Sequence, residues 1–186
     1  MAETTNNTHV ITGKVRLSYA NLFTPKAPED GGEPKYSAAI LVPKSDKSTL
    51  AKIKAAIDAV KADPKSIQLW GGKVPTDMKM PVRDGDDKAD TNPEYAGCLF
   101  FNASSKRQPG LVDQQRAPIT NDTELYSGCY ARVSVNFYAF NKKGNRGIGV
   151  GLNNVQKWAD GESLSGRKRA EDEFDDLPYE ADDLLG

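Results

Sequence analysis

The alternation of residue types between Cys129 and Leu152 constrains the fold more than any other feature of this sequence. Small and apolar residues occupy every second position from Cys129 to Ala139, and polar or aromatic residues occupy the positions between them. Because side chains along a strand point alternately to its two faces, the pattern predicts a long strand with one buried face. Residues 147–152 alternate glycine with aliphatic residues and are predicted as its antiparallel partner, after a turn at 141–145.

The register of this hairpin decides which side chains lie outside. Directly opposed residues share a face, so Ile148, Val150 and Leu152 reach the core when the connection contains an even number of residues. The glycines then lie beside the outward aromatic rings of Tyr138 and Phe140. Two interpretations stay open: the glycines form a flat backbone surface on which a planar group stacks, or the rings cover them as ordinary cross-strand packing.

Most of the other signals are those of strands. Strands are predicted at Val10–Leu17, Tyr36–Val42 and Leu99–Ala103, where β-branched and aromatic residues are frequent. Residues 24–34 and 65–95 are rich in proline, glycine and acidic residues, which predicts a loop and a long irregular excursion. The fold is therefore predicted to be mainly β.

One amphipathic helix is predicted at about 46–62. Leu50, Ile53, Ile57 and Val60 recur at helical spacing, and a serine and an aspartate that can cap the helix precede them. The opposite face is charged, so the helix is expected to pack with one side on the body of the protein.

The cysteines and tryptophans are interpreted individually. Cys98 and Cys129 lie in strand-like apolar runs and are predicted as free, buried side chains rather than as a disulfide. Trp158 follows the last strand and is predicted to lie in the core, whereas the sequence does not assign Trp70 to core or surface.

The charge is divided unevenly along the chain. Residues 171–186 hold eight of the 26 acidic residues and no lysine or arginine, so residues 1–170 hold all 25 basic residues and carry a formal charge of +7. This division is typical of a protein whose ligand is a polyanion with which the tail competes, and a merely solubilising tail is the alternative. The residues predicted for autoinhibition and partner binding are Phe174, Asp175, Asp176, Leu177, Pro178, Tyr179, Asp182 and Asp183.

Basic residues accompany the aromatic side chains on the predicted sheet, which favours single-stranded nucleic acid as the ligand. Each base offers a π-face worth about 1–3 kcal/mol of stacking, and the phosphates attract lysine and arginine. A protein that reads duplex DNA tends to present a basic recognition helix, and the predicted helix has no arginine. The residues predicted to bind single-stranded DNA are Lys14, Arg16, Lys106, Arg107, Tyr130, Arg132, Tyr138, Phe140, Lys142, Lys143 and Arg146.

Enzymatic functions have little support in the sequence. His9 is the sole histidine, so a histidine-based triad or multi-histidine metal site is excluded, and no phosphate-binding Gly-Lys-Ser/Thr loop occurs. The acidic cluster at Asp84, Asp86, Asp87 and Asp90 is interpreted as a solvated loop, with a magnesium-dependent nuclease site as the alternative. No catalytic residue, metal or cofactor is predicted.

Four segments resemble the Enc34-like phage single-stranded DNA-binding protein family: Leu17–Phe23, Lys35–Lys44, Ser127–Val133 and Gly151–Gln156. The resemblance runs from about Val10 to Trp158. It implies an OB-type Greek-key barrel, no catalysis, and service in phage DNA replication or recombination. An OB barrel binds its ligand beside the loops that the sequence predicts at 24–34 and 141–145.

The tail carries a second resemblance. Asp175–Tyr179 is similar to the acidic, proline-aromatic tip with which bacterial single-stranded DNA-binding proteins recruit replication and repair enzymes, although here seven further residues follow.

The first residues of the chain are polar and lack the apolar core of a signal peptide, so we expect the protein in the cytoplasm of the infected bacterial host, without membrane contact.

These features predict four parts: a flexible N-terminus at 1–9, an OB-fold DNA-binding domain at 10–160, a linker at 161–170 and an acidic tail at 171–186. The expected function is sequence-independent coating and protection of single-stranded DNA, with a tail that competes with DNA and contacts replication or recombination proteins. Homo-oligomers are compatible with the sequence. The alternatives are a strand-annealing or scaffold protein with weak DNA contact and, less favoured, the nuclease.

Overall fold

The computed structural model describes residues 8–29, 31–164 and 173–178. The strands are β1 His9–Ile11, β2 Val15–Lys26, β3 Lys35–Pro43, β4 Arg83–Asp84, β5 Cys98–Ser105, β6 Gly110–Val112, β7 Tyr130–Lys142 and β8 Asn145–Ala159. The α-helices are α1 Lys47–Ala62 and α2 Pro64–Leu69, and short 3₁₀ helices occur at Gly85–Lys88 and Pro93–Tyr95.

Five of these strands close into a barrel. The order is β2-β3-β5-β8-β7, and pairing of β7 with β2 closes the ring. All pairs within the ring are antiparallel except β5 with β8. This arrangement is the Greek-key barrel of the OB type, so the predicted fold class is confirmed.

The β7–β8 hairpin has the predicted register. Phe140 lies opposite Gly147, and Tyr138 lies opposite Gly149. The two-residue turn at Lys143 and Gly144 has φ angles of 51° and 87°, the conformation of a tight hairpin turn in which both central residues are left-handed. An even connection therefore places the aliphatic residues of β8 inside and its glycines outside.

The core fills the barrel and the space beneath α1. Phe101 and Phe137 are buried, with ring centroids 5.9 Å apart. The N-terminus of α1 is capped by Asp46, whose Oδ1 accepts a hydrogen bond from the Thr49 backbone N at 3.1 Å. The helix packs against β1 and β7 through the apolar face that its periodicity predicts.

Several elements differ from their sequence-based predictions. The predicted strand Val10–Leu17 is two strands, because the chain bends at Gly13, whose backbone N donates to Thr49 Oγ1 at 2.9 Å. The proline-rich excursion contains α2 at its beginning. The three-residue strand β6 was also not predicted, since so short a segment has no readable period.

The two tryptophans have contrasting environments. Trp70, at the end of α2, is buried, and its Nε1 donates to the carbonyl oxygens of Phe140 and Gly147 at 3.2 and 3.3 Å. Trp158 is 45% exposed, so its predicted place in the core is wrong. The alternation of β8 explains this, because Val155 lies in the core and Trp158 is three residues further along the strand.

The cysteines are free, and burial raises the pKa of both thiols. Cys129 is buried in the barrel core, and Cys98 is partly buried at the start of β5. Neither thiol therefore has the lowered pKa of a reactive cysteine.

Lys44 holds the second half of the excursion against the barrel. Its Nζ lies 2.9 Å from Asp84 Oδ1 and 2.7 Å from Asp86 Oδ2. Its hydrogen bonds, mainly the one to Asp86 and secondly the one to Asp84, raise the pKa of Lys44 to about 12. The pKa of Asp84 is lowered mainly by a hydrogen bond from the Asp86 backbone N–H and, to a smaller extent, by one from Lys44. The pKa of Asp86 is lowered mainly by a hydrogen bond from Lys44 and, to a smaller extent, by one from the Gly97 backbone N–H.

This clamp gives two carboxylates of the acidic cluster a structural role. Asp84 and Asp86 are bonded to a lysine and to backbone N–H groups. Within residues 8–29, 31–164 and 173–178, no group of three or more histidine, cysteine, aspartate or glutamate side chains is placed to hold a metal ion. The nuclease alternative therefore gains no support from this cluster.

We expect Lys44→Met to lower stability at about pH 6 and to have little effect at about pH 2. Asp84 and Asp86 have lowered pKa values, so their ion pairs contribute above the ordinary carboxyl pKa of 3.8 and are lost as the pH falls through the lower folded values. Urea unfolding midpoints of the wild type and the variant across this range measure the difference. A difference that stays constant with pH would contradict the role of the carboxylates.

Candidate nucleic-acid interface

Three depressions lie side by side on the barrel surface, and together we call them the barrel groove. The lysine cleft has a volume of about 560 Å³, the tyrosine pocket about 350 Å³ and the arginine pocket about 360 Å³. Lys26 lines both the lysine cleft and the tyrosine pocket, and Glu94 lines both the tyrosine pocket and the arginine pocket. These shared residues show that the three depressions lie next to one another along β2.

The lysine cleft lies where an OB barrel binds its ligand. It is bounded by the loop between β2 and β3 and by the end of β7, and Ser37 of β3 and Ser104 of β5 are paired on its surface. OB barrels bind oligonucleotides on this strand face and beside these two loops. The lysines that line the cleft are Lys26, Lys35, Lys106 and Lys142.

Acidic residues of the β2–β3 loop reduce the positive charge of the lysine cleft. Glu29 and Glu33 also line it, and Glu33 Oε2 lies 3.2 Å from Lys106 Nζ. Both side chains of this ion pair are more than half exposed, so the pair is weak and a phosphate can replace the carboxylate. The cleft therefore retains a net positive charge in the free protein.

Tyr19 is the exposed aromatic residue of the tyrosine pocket. Its φ is 47°, in the left-handed region, and its side chain is 60% exposed. The pairing of β2 with β3 shifts register between Ser18 and Asn21, which explains this local conformation. A bulky residue in the left-handed region costs about 1–3 kcal/mol, and such strain clusters at functional sites.

The arginine pocket brings together three residues that the sequence predicts for DNA binding. Lys14 Nζ lies 4.8 Å from the ring centroid of Tyr130, and the guanidinium carbon of Arg16 lies 5.6 Å from it. Arg16 also donates to the carbonyl oxygens of Gly128 and Glu162, each at 3.0 Å. Lys14 is the freer cation, whereas Arg16 also fixes the chain that leaves the barrel.

The chain after β8 stays on the barrel at residues 161–164. The Leu164 backbone N donates to the Ser127 carbonyl at 2.8 Å, and the Gly161 N donates to Tyr126 Oη at 3.1 Å. Leu164 lines the tyrosine pocket. The predicted linker therefore begins in contact with the barrel groove.

The structure divides the predicted DNA-binding residues into two groups. Those that line the barrel groove are Lys14, Arg16, Lys106, Tyr130 and Lys142. Those that are not among its lining residues are Arg107, Arg132, Tyr138, Phe140, Lys143 and Arg146. The division does not follow the strands, because β7 contributes Tyr130 and Lys142 to the groove and Arg132, Tyr138 and Phe140 to the other group.

The aromatic rings of β7 pack on the glycines of β8. A side chain at Gly149 would meet the Tyr138 ring at 2.6 Å, and one at Gly147 would meet the Phe140 ring at 2.9 Å. This is the cross-strand packing that the sequence left open as an alternative. Tyr138 is still 46% exposed, whereas Arg146 Nη1 donates to the Trp70 carbonyl at 2.9 Å.

Among the groove residues that sequence reasoning did not select are two lysines, a tyrosine and a glutamate. Lys26 and Lys35 flank the β2–β3 loop, and nothing in their sequence context distinguishes them from other surface lysines. Tyr19 and Glu94 are 75 positions apart along the chain, so their proximity depends on the tertiary fold. The left-handed conformation of Tyr19 has no signal in the residue pattern.

The acidic tail is described at residues 173–178. Phe174 is 73% exposed and Leu177 is 91% exposed, and Asp175, Asp176 and Pro178 are exposed as well. The other predicted tail residues, Tyr179, Asp182 and Asp183, lie outside the described residues. Two apolar side chains of the tail are thus accessible beside its carboxylates.

The fold and the groove can be compared with known proteins. A family model described as "Enterobacter phage Enc34, ssDNA-binding protein" matches residues 8–185. The chain belongs to the Enc34 single-stranded DNA-binding protein family. The resemblance seen in the sequence is thereby confirmed, and the Enc34 family is one of DNA-binding proteins rather than of enzymes.

Individual relatives agree with this membership. "Putative protein p50" of Acyrthosiphon pisum secondary endosymbiont phage 1 is 36% identical over 183 residues, which cover 92% of this chain and 95% of the relative. The single-stranded DNA-binding protein of bacteriophage Enc34, solved in complex with ssDNA, is 27% identical with a TM-score of 0.74, over 88% of this chain and 97% of that one.

A more distant structure shares the fold. The single-stranded DNA-binding protein gp2.5 of bacteriophage T7 has a TM-score of 0.59 and 15% identity, over 92% of this chain and 97% of that one. The barrel fold is therefore retained in a protein whose sequence is only 15% identical.

Among the described helices, none is long and apolar enough to cross a membrane.

Proposed function

We propose that this protein binds single-stranded DNA along the barrel groove and coats it, without requiring a particular sequence, during phage DNA replication or recombination. The observation that carries the proposal is the adjacency of the three pockets, which places the lysines of the first beside an exposed tyrosine in the second and a cation–tyrosine cluster in the third. The Enc34 protein solved with ssDNA supports the same ligand.

The chemistry of the groove suits a single strand. Phosphates bind the lysines of the lysine cleft, and unstacked bases stack on Tyr19 and Tyr130, which lie in the next two pockets. In a duplex the base faces are stacked on one another and are not available to these rings. The groove therefore selects single-stranded DNA by its accessible base faces, and the domain that provides it is residues 10–160.

We further propose that the acidic tail, residues 171–186, competes with DNA for the groove. Leu164 lines the tyrosine pocket, and Glu171 is seven positions further along the chain, so the tail begins within about 25 Å of the pocket at full extension. Its carboxylates match the lysines of the groove. When DNA displaces the tail, its carboxylates are released together with the already exposed Phe174 and Leu177, and the whole tail is free to contact replication or recombination proteins.

The main test is a fluorescence-anisotropy titration of labelled oligo-dT with the full chain and with a chain that ends at Arg169. We expect tight binding that resists unlabelled duplex, since duplex bases cannot stack on the groove tyrosines. Removing the tail should tighten binding severalfold at low salt, because a competitor of eight carboxylates is lost. The logarithm of the affinity should fall with the logarithm of the salt concentration by about 0.7 for each phosphate contact.

A tail of unchanged length in which the eight acidic residues become asparagine and glutamine is the matched control. If the charge of the tail weakens DNA binding, this protein should bind as tightly as the truncated chain. If the length of the tail weakens binding, it should bind like the full chain. Equal affinity and salt dependence in all three proteins would refute competition by the tail. Weak binding by all of them would refute the coating function and favour an annealing or scaffold role.

A further inference from the structure

A carboxylate lies between the tyrosine pocket and the arginine pocket of the barrel groove. Glu94 lines both the tyrosine pocket and the arginine pocket, and Lys26, Arg16 and Lys14 line the same two pockets. The residues of the described chain form no ion pair with Glu94. A carboxylate at this point repels phosphate, so the DNA backbone has to pass along the cations and a different part of the nucleotide must meet Glu94.

Glu94 is connected to the exposed ring of Tyr19. Asn92 Nδ2 donates to Glu94 Oε1 at 3.3 Å and to Tyr19 Oη at 3.2 Å. Asn92 Oδ1 in turn accepts a hydrogen bond from Thr91 Oγ1 at 3.1 Å, which fixes the orientation of the amide. The side-chain amide therefore holds a stacking surface and a hydrogen-bond acceptor at fixed positions in one pocket.

The second carboxylate oxygen of Glu94 is available to a ligand. Glu94 Oε2 has no hydrogen bond or ion pair to the described part of the chain, and Oε1 has one partner. A carboxylate accepts two parallel hydrogen bonds when its ligand offers two adjacent donors. Of the four DNA bases, guanine offers this on its Watson–Crick edge, where N1–H and the N2 amino group lie side by side, and that edge is exposed in a single strand.

We propose that the tyrosine pocket is a base subsite in which Tyr19 stacks on the base and Glu94 accepts hydrogen bonds from the edge of guanine. The proposal rests on the proposed function and adds a preference at one position to binding that otherwise ignores sequence. Thymine is the poorest base for this subsite, because its single N3–H lies between two carbonyl oxygens that repel a carboxylate. Adenine and cytosine offer one amino donor beside an acceptor nitrogen.

The test uses short oligo-dT strands that carry one central substitution. Three strands are compared by anisotropy: all thymine, one guanine, and one inosine, which retains N1–H but lacks the N2 amino group. We expect the guanine strand to bind the wild type about fivefold more tightly than the other two, at the lower end of the range for a bidentate base contact because the pocket is open to water. In Glu94→Gln this preference should disappear.

Two further results keep the base subsite separate from the proposed function. Tyr19→Ala should weaken binding of all three strands about fivefold or more, because it removes the stacking surface for any base. If oligo-dT binds tightly but the three strands bind equally, the proposed function stands and the guanine subsite is refuted. If Glu94→Gln tightens all three equally, Glu94 merely repels DNA, and if the guanine preference survives in that variant, Glu94 is not the residue that recognises it.

Discussion

Replacing the four lysines of the lysine cleft, Lys26, Lys35, Lys106 and Lys142, by alanine should lower the affinity for oligo-dT by about two to three orders of magnitude at about 0.1 M salt. Each lysine that neutralises a phosphate releases counterions, and four such contacts account for a salt slope of about 3. The variant should therefore lose most of its salt dependence as well as its affinity. Anisotropy titrations at several salt concentrations measure both quantities.

The control for this variant removes the same charge elsewhere. Lys47, Lys54, Lys65 and Lys73 are exposed and do not line the barrel groove, so their replacement by alanine should change the affinity only slightly. Equal losses in the two variants would mean that net charge alone attracts the DNA and that the groove has no special role.

A further pair of residues tests the other candidate surface. Arg132 and Tyr138 are predicted from the sequence to bind DNA, and they lie exposed on the outer face of β7 but are not among the residues that line the barrel groove. If their joint replacement by alanine causes as large a loss as removal of the four lysines, the principal binding surface is the outer face of the hairpin. A small loss assigns it to the barrel groove.

Trp70→Ala should lower the free energy of unfolding by about 3–5 kcal/mol, which is the range for removing a large aromatic side chain from a core. Trp70 is 1% exposed, and its indole N–H bonds two carbonyl oxygens of the β7–β8 hairpin. The substitution leaves a cavity between α2 and the hairpin and removes this donor. Urea unfolding followed by circular dichroism measures the change.

The second tryptophan provides a matched control. Trp158 is 45% exposed, and its replacement by alanine should cost less than about 1 kcal/mol. Trp70→Phe retains much of the volume but not the donor, so it separates packing from hydrogen bonding. A loss below about 1 kcal/mol for Trp70→Ala would show that α2 contributes little to the stability of the barrel.

The parts of the fold that were predictable from sequence are those with a regular period. The alternation from Cys129 to Ala139 and the even connection to β8 determine the register of the longest hairpin, because a shift by one residue would expose its apolar face. The spacing of apolar residues in α1 is equally clear, and its capping aspartate marks where the helix begins. Both elements are local, so their physics is contained in a short window of sequence.

The barrel groove depends on contacts that no window contains. Glu94 and Asn92 belong to an excursion that looks irregular because its conformation is determined by the clamp at Lys44 rather than by periodicity. Tyr19 is exposed because β2 shifts register beside it. The alternation of β7 correctly predicts which residues face outward, but it does not show which of them line the groove.

The way the chain leaves the barrel also bears on the proposed competition by its tail. At Gly128, φ is 114° and a side chain would clash with the Glu162 carbonyl, so a glycine allows the departing chain to pass directly over this turn. The hydrogen bond from Leu164 then fixes the starting point of the tether at the tyrosine pocket. If the tail competes for the groove as proposed, a connection of six residues would hold it there at an effective concentration of about millimolar, independent of the amount of protein in the cell. A separate peptide of the same sequence would have to be supplied at that concentration to occupy the groove equally well.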